Sequence, residues 1–338
     1  MSITIRDVAQ AAGVSTATVS RALRGLAHVD PETREKVLRV AQELDYVISP
    51  SASRLASGRT GTIAVVTPFI ARWFFATVLS GISEVLQDRG IDLLVVAAGD
   101  PQAADSVRAE RRLRGRVDGI VVVALPTHVP GVQEILGLGL PVAFVGARAP
   151  GVPSVSIDDE RAGRLATQHL INTGHTRIGL IAGDESPVPG GAADTRARGF
   201  RATMTEAGLT ADESLVAHGH FTILGGESAM TTLLSQPQPP TAVLAMSDEM
   251  AFGAIRALQR QGLRPGVDVA VVGIDGHELS VLLELTTVVQ PVADMGRMAA
   301  EALMDLIAGN ASADDVRVPT QLIVRGSTVP LERKLPVV

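Results

Sequence analysis

The feature that most limits the possible folds is a series of short apolar segments that recurs from residue 60 onward. Longer segments of mixed composition separate them. Short runs of valine, isoleucine, alanine and leucine are typical of strands buried on both faces, and their alternation with helix-length segments predicts parallel sheets covered by helices. The clearest runs are TIAVVTP, IDLLVVAA, DGIVVVA, PVAFVGA, RIGLIAG, LVAHG, AVLAMS and VAVVGID.

These runs are numerous enough for two sheets. The first set ends near SVSIDD, and the second begins after a helix that starts near Glu160. A helical pattern after TTVVQPVADMG is suited to return the chain to the first set. We therefore expect two lobes joined by crossing strands, with a cleft between them. Lobe 1 is predicted to hold about residues 60–158 and 291–319, and lobe 2 about 159–290 and 320–333.

Composition excludes several classes of protein. A chain of 338 residues, 46% hydrophobic and 20% charged, is typical of a globular protein with two or three folding units. No apolar run is long enough to cross a bilayer, and Arg6 and Asp7 interrupt the segment that a secretory signal would need. We expect a soluble, cytoplasmic protein with no membrane partner. The absence of cysteine excludes disulfides, thiolate metal sites and a cysteine nucleophile.

The net charge is unevenly distributed along the chain. Residues 1–60 contain eight Lys and Arg side chains and six Asp and Glu side chains, which gives this part a charge of +2. The whole chain carries −6, so residues 61–338 carry −8. A mildly basic head on an acidic body fits a protein in which the head alone meets a polyanion.

The head begins with two helices joined by a tight turn. Apolar residues at Ile5, Val8, Ala9 and Ala12 have helical spacing, and the pattern stops at Gly13. Ser15 follows at once, in a position to accept a hydrogen bond from the first turn of the next helix. The segment GVSTATVSRALRG, rich in weak helix formers, therefore contains a capped helix start.

The second helix has two different faces. Val19, Ala22 and Leu23 lie on one side, whereas the opposite side is small, polar and cationic. A helix of this kind after a tight turn predicts a helix-turn-helix whose second helix enters the major groove. The alternative is an ordinary surface helix with a capped start. The residues on the outer side are Ala17, Ser20, Arg21 and Arg24.

A third helix and a linker complete the head. Asp30 as cap, Pro31 and Glu32 predict a helix start, and Val37, Val40, Ala41 and Leu44 would face inward. The next segment, SPSASRLASGRTG, has the composition of a linker with a lone leucine, Leu55. We expect a DNA-binding domain at 1–47, a linker at 48–59 and a body at 60–338; a passive tether is the alternative for the linker.

Candidate ligand-binding residues follow the predicted strands, because ligands of parallel sheets bind beyond the carboxyl ends of the strands. Four of the nine aromatic residues follow TIAVVTP, and Trp73 is our preferred wall for a sugar ring. Helix packing at the lobe interface is the alternative for at least one phenylalanine. Arg196, Asp248 and Asp275 also lie near strand ends, and an N-cap is the preferred interpretation of Asp248. The four aromatics are Phe69, Trp73, Phe74 and Phe75.

Other chemistry has little support. His218 and His220 are better explained as a surface loop than as a metal site, and Asp158 and Asp159 as helix-capping acids than as a catalytic pair. No nucleophile elbow, Walker loop or glycine-rich dinucleotide motif is present. We expect no cofactor, no metal and no catalysis. A ligand-controlled DNA regulator, a solute-binding protein and a sugar-acting enzyme remain as alternatives, and only the first accounts for residues 1–60.

The sequence resembles the lactose-repressor (LacI/GalR) family of bacterial transcription regulators over nearly its whole length. This resemblance implies a small all-α helix-turn-helix head on an α/β body of two parallel-sheet lobes, like that of type I periplasmic binding proteins. The motifs that carry it, in the family's order, are TIRDVAQAAGVSTATVSRAL, VDPETREKVLRVAQELDY, ASGRTGTIAVV, RVDGIVV, NTGHTRIGLIAG, PPTAVLAMSDEMAFGAIRAL, VVGID and TTVVQPVADMG.

The resemblance also implies a function and site residues. It implies a homodimeric repressor that leaves its double-stranded operator DNA when a small polar effector, a carbohydrate, binds the cleft. Residues from about 49 to 57 match a hinge helix, in which Leu55 would enter the minor groove. The matching DNA contacts are Thr16, Ala17 and Arg21 for base edges and Ser15, Thr18 and Ser20 for phosphates. The effector residues, together with our preferred wall, are Trp73, Phe74, Arg196, Phe221, Ser247, Asp275 and Gln290.

Four departures from the family pattern accompany these matches. SRLA stands where ARSL is more usual, and Arg24 occupies a common asparagine position. In the predicted effector site, Ser247 replaces a frequent asparagine and Gly276 a frequent second aspartate.

Overall fold

A computed structural model describes residues 3–23, 29–46, 59–98, 113–129, 131–184, 189–310 and 315–328. The chain divides into two compact units, Met1–Gly61 and Thr62–Val338. The predicted linker at 48–59, including Leu55, lies almost wholly outside the described residues, as does Arg24.

The first unit is a three-helix bundle. Its helices are α1 (Ile5–Ala12), α2 (Thr16–Leu23) and α3 (Pro31–Glu43). Their apolar faces form one core, in which Val8, Val19 and Val37 have no exposed surface. Gly13 ends α1 with a φ of 68°, the left-handed conformation that favours glycine, and Asp30 caps α3 by accepting from the backbone N–H of Thr33. Both turn signals expected from the sequence are therefore confirmed.

The second unit contains twelve described strands. They are β1 (Thr62–Thr67), β2 (Asp92–Ala97), β3 (Gly119–Val123), β4 (Val142–Val145), β5 (Ser154–Ser156), β6 (Ile178–Ala182), β7 (Val216–His218), β8 (Ala242–Ala245), β9 (Ala270–Asp275), β10 (Thr286–Val289), β11 (Asp315–Arg317) and β12 (Gln321–Ile323).

These strands form two six-stranded sheets. The order in the first is β11-β5-β4-β3-β1-β2, and in the second β12-β10-β9-β8-β6-β7. All neighbours are parallel except β12, which is antiparallel to β10. Strands β1, β3, β4, β6, β8 and β9 are buried along their whole length, as expected for apolar runs covered on both faces. The predicted α/β architecture is confirmed.

Helices cover both sheets. They are α4 (Trp73–Gln87), α5 (Val132–Leu136), α6 (Asp159–Asn172), α7 (Ala192–Glu206), α8 (Ile223–Leu234), α9 (Asp248–Arg260), α10 (Leu279–Leu282) and α11 (Val292–Ala308), with a 3₁₀ turn at Glu213–Leu215. Among the described helices, none is both long and apolar enough to cross a membrane.

Reciprocal glycines bring three helix pairs close together. In each pair, a Cβ on either glycine would overlap a backbone carbonyl oxygen of the facing helix. In the α6–α7 pair, for example, Gly163 meets the carbonyl of Arg196 and Gly199 meets that of Glu160. These contacts exclude even a methyl group, so they fix the helix spacing. The pairs are Gly81 with Gly296, Gly163 with Gly199, and Gly226 with Gly253.

The chain passes between the two sheets three times. It crosses after β5, after β10 and between β11 and β12. After the second crossing, α11 packs on α4 and on strands β3 and β4 of the first sheet. We call the unit built on the first sheet lobe 1 and the unit built on the second sheet lobe 2.

Candidate functional site

The outer face of α2 is exposed to solvent on the three-helix head. Ser15 Oγ accepts from the backbone N–H of Thr18 at 3.1 Å, so the predicted capping bond at the helix start is present. Val19 and Ala22 are buried in the head. The side chains predicted to reach DNA are exposed at Ser15, Thr16, Ala17 and Arg21 and half-buried at Thr18 and Ser20.

A cavity of about 570 Å³ lies between the lobes. Residues that follow β1, β8 and β10 line it, together with the last residue of β9. This is the position at which parallel sheets bind ligands, because strand ends, turns and helix starts meet there. The predicted effector residues that the structure brings to this cavity are Phe74, Arg196, Phe221, Ser247, Asp275 and Gln290.

Aromatic rings line the cavity from both lobes. Phe69, Phe74 and Phe75 form one group in lobe 1, with Phe69–Phe75 and Phe74–Phe75 centroids 5.7 and 5.3 Å apart. Phe221 faces the cavity from lobe 2, in van der Waals reach of Gly183. Flat apolar rings of this kind can pack on the C–H faces of a sugar.

Trp73 is not among the residues that line the cavity. Its indole stacks on His277 with centroids 4.9 Å apart, and its Nε1–H donates to Glu278 Oε2 at 2.6 Å. Trp73 and Phe74 are consecutive residues of α4, so their side chains point in different directions. The Trp73 side chain lies against the loop after β9, whereas the Phe74 side chain lines the cavity. The prediction that Trp73 forms the aromatic surface for a sugar ring is therefore corrected: Phe74, the next residue, lines the cavity instead.

A buried charge network forms the lobe 2 side of the cavity. Arg196 donates from Nε to Asp159 at 2.8 Å and from Nη1 to the carbonyl of Met246 at 2.6 Å, and Nη1 lies 3.8 Å from Asp275 Oδ1. Gln290 Nε2 donates to the same Asp275 oxygen at 2.7 Å. Four polar groups are thus held in fixed positions before any ligand is bound.

Burial changes the protonation of this network. Burial raises the pKa of Asp275 to about 7; nearby Arg196 opposes this shift and the Asp248 carboxylate adds to it. Burial by itself would lower the pKa of Arg196, but the carboxylates of Asp159 and Asp275 more than offset this, so its pKa is raised and it stays charged. The cavity therefore contains a permanent cation beside an acid that titrates near neutral pH.

Asp248 has a different role from the one predicted. Ser247 caps α9 by accepting from Met250 N–H, so the interpretation of Asp248 as the cap was wrong. Asp248 is fully buried, and burial raises its pKa. Its carboxylate instead secures the chain after β9 and the neighbouring strand. The donors to it are the backbone N–H groups of Gly276 and His277 and the hydroxyls of Ser280 and Thr287, at 2.7 to 2.9 Å.

The acid pair Asp158 and Asp159 divides between two roles. Asp158 caps α6 by accepting from Arg161 N–H, as expected. Asp159 does not cap the helix; its carboxylate binds Arg196 inside the cavity. Sequence reasoning also missed Arg72, Asp184 and Glu249 on the cavity lining, although Asp184 and Glu249, like Asp275, follow or end apolar strands.

Unusual backbone conformations concentrate at the cavity. In the described part of the chain six residues other than glycine have positive φ, and four of them line this cavity. Such conformations are costly and are typical of functional sites. The four are Ala124, His220, Phe221 and Asp275. Gly276 follows with a φ of 80°, and a Cβ there would collide with Val289, so the aspartate frequent in the family does not fit.

His218 and His220 lie close together near the edge of the cavity. His220 Nδ1 lies 3.0 Å from Asp184 Oδ1 at the edge of the cavity, and the His218 and His220 rings are 6.5 Å apart. Among the residues with assigned positions, no group of three or more potential ligands is placed to hold a metal ion.

Two family profiles match the chain. Residues 4–49 match bacterial regulatory proteins of the lacI family, and residues 60–326 match periplasmic binding proteins and the sugar binding domain of the LacI family.

The chain belongs to the LacI family.

Relatives of this LacI-family protein cover nearly its whole length. The transcriptional regulator CelR of Thermobifida fusca is 38% identical over 96% of this chain and 98% of its own. The transcriptional repressor CytR of Escherichia coli is 34% identical over 96% of both chains. The relatives are regulators, and the head carries their helix-turn-helix, so this LacI-family member is a DNA-binding transcriptional regulator rather than a member of an enzyme family.

Solved structures show the same architecture. A lac repressor dimer bound to operator and the anti-inducer ONPF is 28% identical, with a TM-score of 0.86 over 97% of this chain and all of that chain. A complex of CelR with cellobiose is 37% identical, with a TM-score of 0.70 over 96% of this chain and 99% of that chain.

Proposed function

We propose that this protein is a homodimeric repressor that binds operator DNA and releases it when a carbohydrate occupies the cavity between its lobes. The observation that carries the proposal is the cavity itself. It combines phenylalanine rings from both lobes with carboxylate, guanidinium and amide groups in fixed positions. Rings for the C–H faces and charged groups for the hydroxyls suit a sugar. The relative CelR, solved with cellobiose, supports this choice.

The domain assignment follows from this proposal. Residues 1–47 bind DNA, 48–59 form the hinge, and 60–338 bind the effector and form the dimer. Lobe 1 consists of about 60–158 and 291–319, and lobe 2 of about 159–290 and 320–333. Since the operator of a bacterial regulator lies in the cytoplasm, the protein works there, without enzymatic activity.

The exposed face of α2 supplies the DNA contacts. Arg21 forks to guanine, Thr16 and Ala17 meet base edges, and Ser15, Thr18 and Ser20 hold phosphates. Leu55 inserts into the minor groove, which costs a few kcal/mol of unstacking that contacts to the bent DNA offset.

The effector contacts come from both lobes. Phe74 and Phe221 pack on the ring, while Arg196, Asp275 and Gln290 bind its hydroxyls. Ser247, whose hydroxyl caps α9, lines the cavity on the same side as these polar groups. Trp73 acts from the edge of the cleft, through its contact with Glu278, rather than as a wall.

Exposed apolar side chains of lobe 2 support the dimer. Leu224, Val281 and Leu282 are 72%, 59% and 78% exposed. Large apolar side chains in such positions are typical of surfaces that associate, and a two-fold dimer would cover them. The lac repressor relative is a dimer on its operator.

A titration of the full chain against DNA upstream of its own gene tests both halves of the proposal. We expect specific binding at moderate salt that weakens when a sugar binds the cleft. Because such coupling is reciprocal, the operator complex must bind that sugar more weakly than the free protein does. Binding of every duplex no better than competitor DNA would contradict the DNA half. A sugar that binds the cleft and leaves operator affinity unchanged would contradict the regulatory half.

A further inference from the structure

The charges around the cavity are unfavourable to an anionic ligand. Acidic groups outnumber guanidinium groups on its lining even while Asp275, whose pKa is raised to about 7, keeps its proton, so a phosphate or carboxylate entering the cavity meets mostly like charge. The carboxylates are those of Asp159, Asp184, Glu249 and Asp275, and the guanidinium groups are those of Arg72 and Arg196.

Both guanidinium groups already have partners in the protein. Arg196 binds Asp159 and the Met246 carbonyl. The guanidinium of Arg72 lies 3.6 Å from the centroid of the Phe69 ring, and its charge acts to lower the pKa of Glu249. An anionic ligand would have to compete with these partners for either cation.

Helix starts can also attract an anion to the cavity. Free amide groups at a helix N-terminus attract anions, especially phosphate. Among the described helices, α4, α6, α7 and α9 place their N-cap or first residue on the lining. Three of them carry their own acids in the first turn. These acids are Asp159 and Glu160 in α6, Asp194 in α7, and Asp248 and Glu249 in α9.

The remaining helix, α4, has no acid in its first turn. An acid of the other lobe, Glu249 in the first turn of α9, lies on the same lining as Arg72, the N-cap of α4. Glu249 is half-buried, and burial raises its pKa although Arg72 and the Trp73 N–H oppose the shift. The start of α4 thus shares the cavity lining with a carboxylate of the protein.

We infer that the cleft takes an uncharged carbohydrate and rejects sugar phosphates and sugar acids, and that Glu249 sets this preference by placing its carboxylate on the lining with the start of α4. The inference deepens the proposed function, since it takes from it that the ligand is a carbohydrate. It concerns binding to the protein itself, so it can be measured without DNA.

Calorimetric titration of the full chain with two matched pairs of probes tests the inference. The pairs are glucose with glucose 6-phosphate, and cellobiose with the disaccharide in which glucuronate replaces its non-reducing glucose. We expect at least one neutral probe to bind and its anionic partner to bind at least about tenfold more weakly. Glu249→Gln removes the charge and keeps the shape, so it should narrow this ratio by about threefold or more. Glu301→Gln removes the same charge from an exposed position on α11 and should leave the ratio unchanged.

Each outcome decides a separate point. An anionic probe that binds as tightly as its neutral partner overturns the inference, as does failure of both neutral probes to bind. If Glu249→Gln leaves the ratio of neutral to anionic affinity unchanged, Glu249 does not set the preference for the neutral sugar. If a neutral sugar binds with the expected preference but operator affinity does not change, the preference stands and the proposed regulatory function fails.

Discussion

Trp73 and Glu278 lie 205 positions apart in the chain and join the two lobes through a hydrogen bond of 2.6 Å. The indole also stacks on His277, which in turn meets the Phe252 ring edge-on at 5.1 Å. On the cavity lining, Glu249 of lobe 2 lies with Arg72, the N-cap of α4. The first turn of α4 therefore contacts lobe 2 through the Trp73 side chain, so a change in lobe arrangement must alter these contacts.

The first prediction uses the fact that Trp73 is the single tryptophan of the chain. A cleft ligand that moves the lobes should change the intrinsic fluorescence, because the indole would lose or alter its contacts with His277 and Glu278. Glu278→Ala should change the ligand-free emission in the same direction, whereas Glu278→Gln, which keeps an acceptor oxygen, should change it less. Identical spectra with and without a ligand that calorimetry shows to bind would contradict the prediction.

A second prediction concerns the crossing of α6 and α7. Replacement of glycine by alanine inside a helix ordinarily stabilises it by roughly 0.5–1 kcal/mol. At Gly199 the new Cβ would overlap the carbonyl oxygen of Glu160, so Gly199→Ala should lower the free energy of unfolding by about 1–3 kcal/mol. Thr205→Ala, on the exposed side of the same helix, should stay within about 0.5 kcal/mol of the parent in urea denaturation. A stabilised Gly199→Ala variant would show that the helices can move apart freely.

A third prediction concerns pH. Asp275 keeps its proton in the folded protein up to a pKa of about 7, whereas the unfolded chain loses it near its ordinary value of 3.8. The folded state binds more protons between these values, so the contribution of Asp275 to stability is present below about pH 4 and is lost as pH rises to about 7. Asp275→Asn resembles the protonated form at every pH. Its unfolding free energy should therefore rise relative to that of the parent between pH 4 and 7 and level off above.

Asp268→Asn provides the control for this measurement. A hydrogen bond from Arg264 holds the pKa of Asp268 below its ordinary value, so this group is ionised in both states above about pH 5. The difference in stability between Asp268→Asn and the parent should then be constant from pH 5 to 7. The same constancy in Asp275→Asn would show that Asp275 is ionised throughout.

The fourth prediction addresses the DNA-binding face. Arg21→Ala should cost about 1–3 kcal/mol on the specific operator and relax base preference at one position, because a forked contact to guanine is lost. Arg39→Ala removes the same charge from an exposed position on α3 and should weaken binding to all duplexes alike. Competition binding with single-base operator variants distinguishes the two. An equal loss on operator and random DNA for Arg21→Ala would exclude base reading by this residue.

Parts of this protein follow from interactions between residues close in sequence. The Gly13 turn, the Ser15 cap and the Asp30 cap each depend on groups within five positions, and the apolar runs of the strands predict their burial on both faces. The helices of the head and the parallel sheets could therefore be predicted from periodicity and turn chemistry.

The contacts that give the cavity its chemistry join residues that are far apart in the sequence. Asp159 meets Arg196 across 37 positions, and Asp248 meets Thr287 across 39. In the sequence, Asp159 and Asp248 resemble ordinary acids at helix starts, where local capping is the simplest interpretation. Only the packing of helices and strands from distant parts of the chain decides which of two adjacent carboxylates caps a helix and which is buried with a distant partner, because burial and distance between remote segments are properties of the tertiary structure alone.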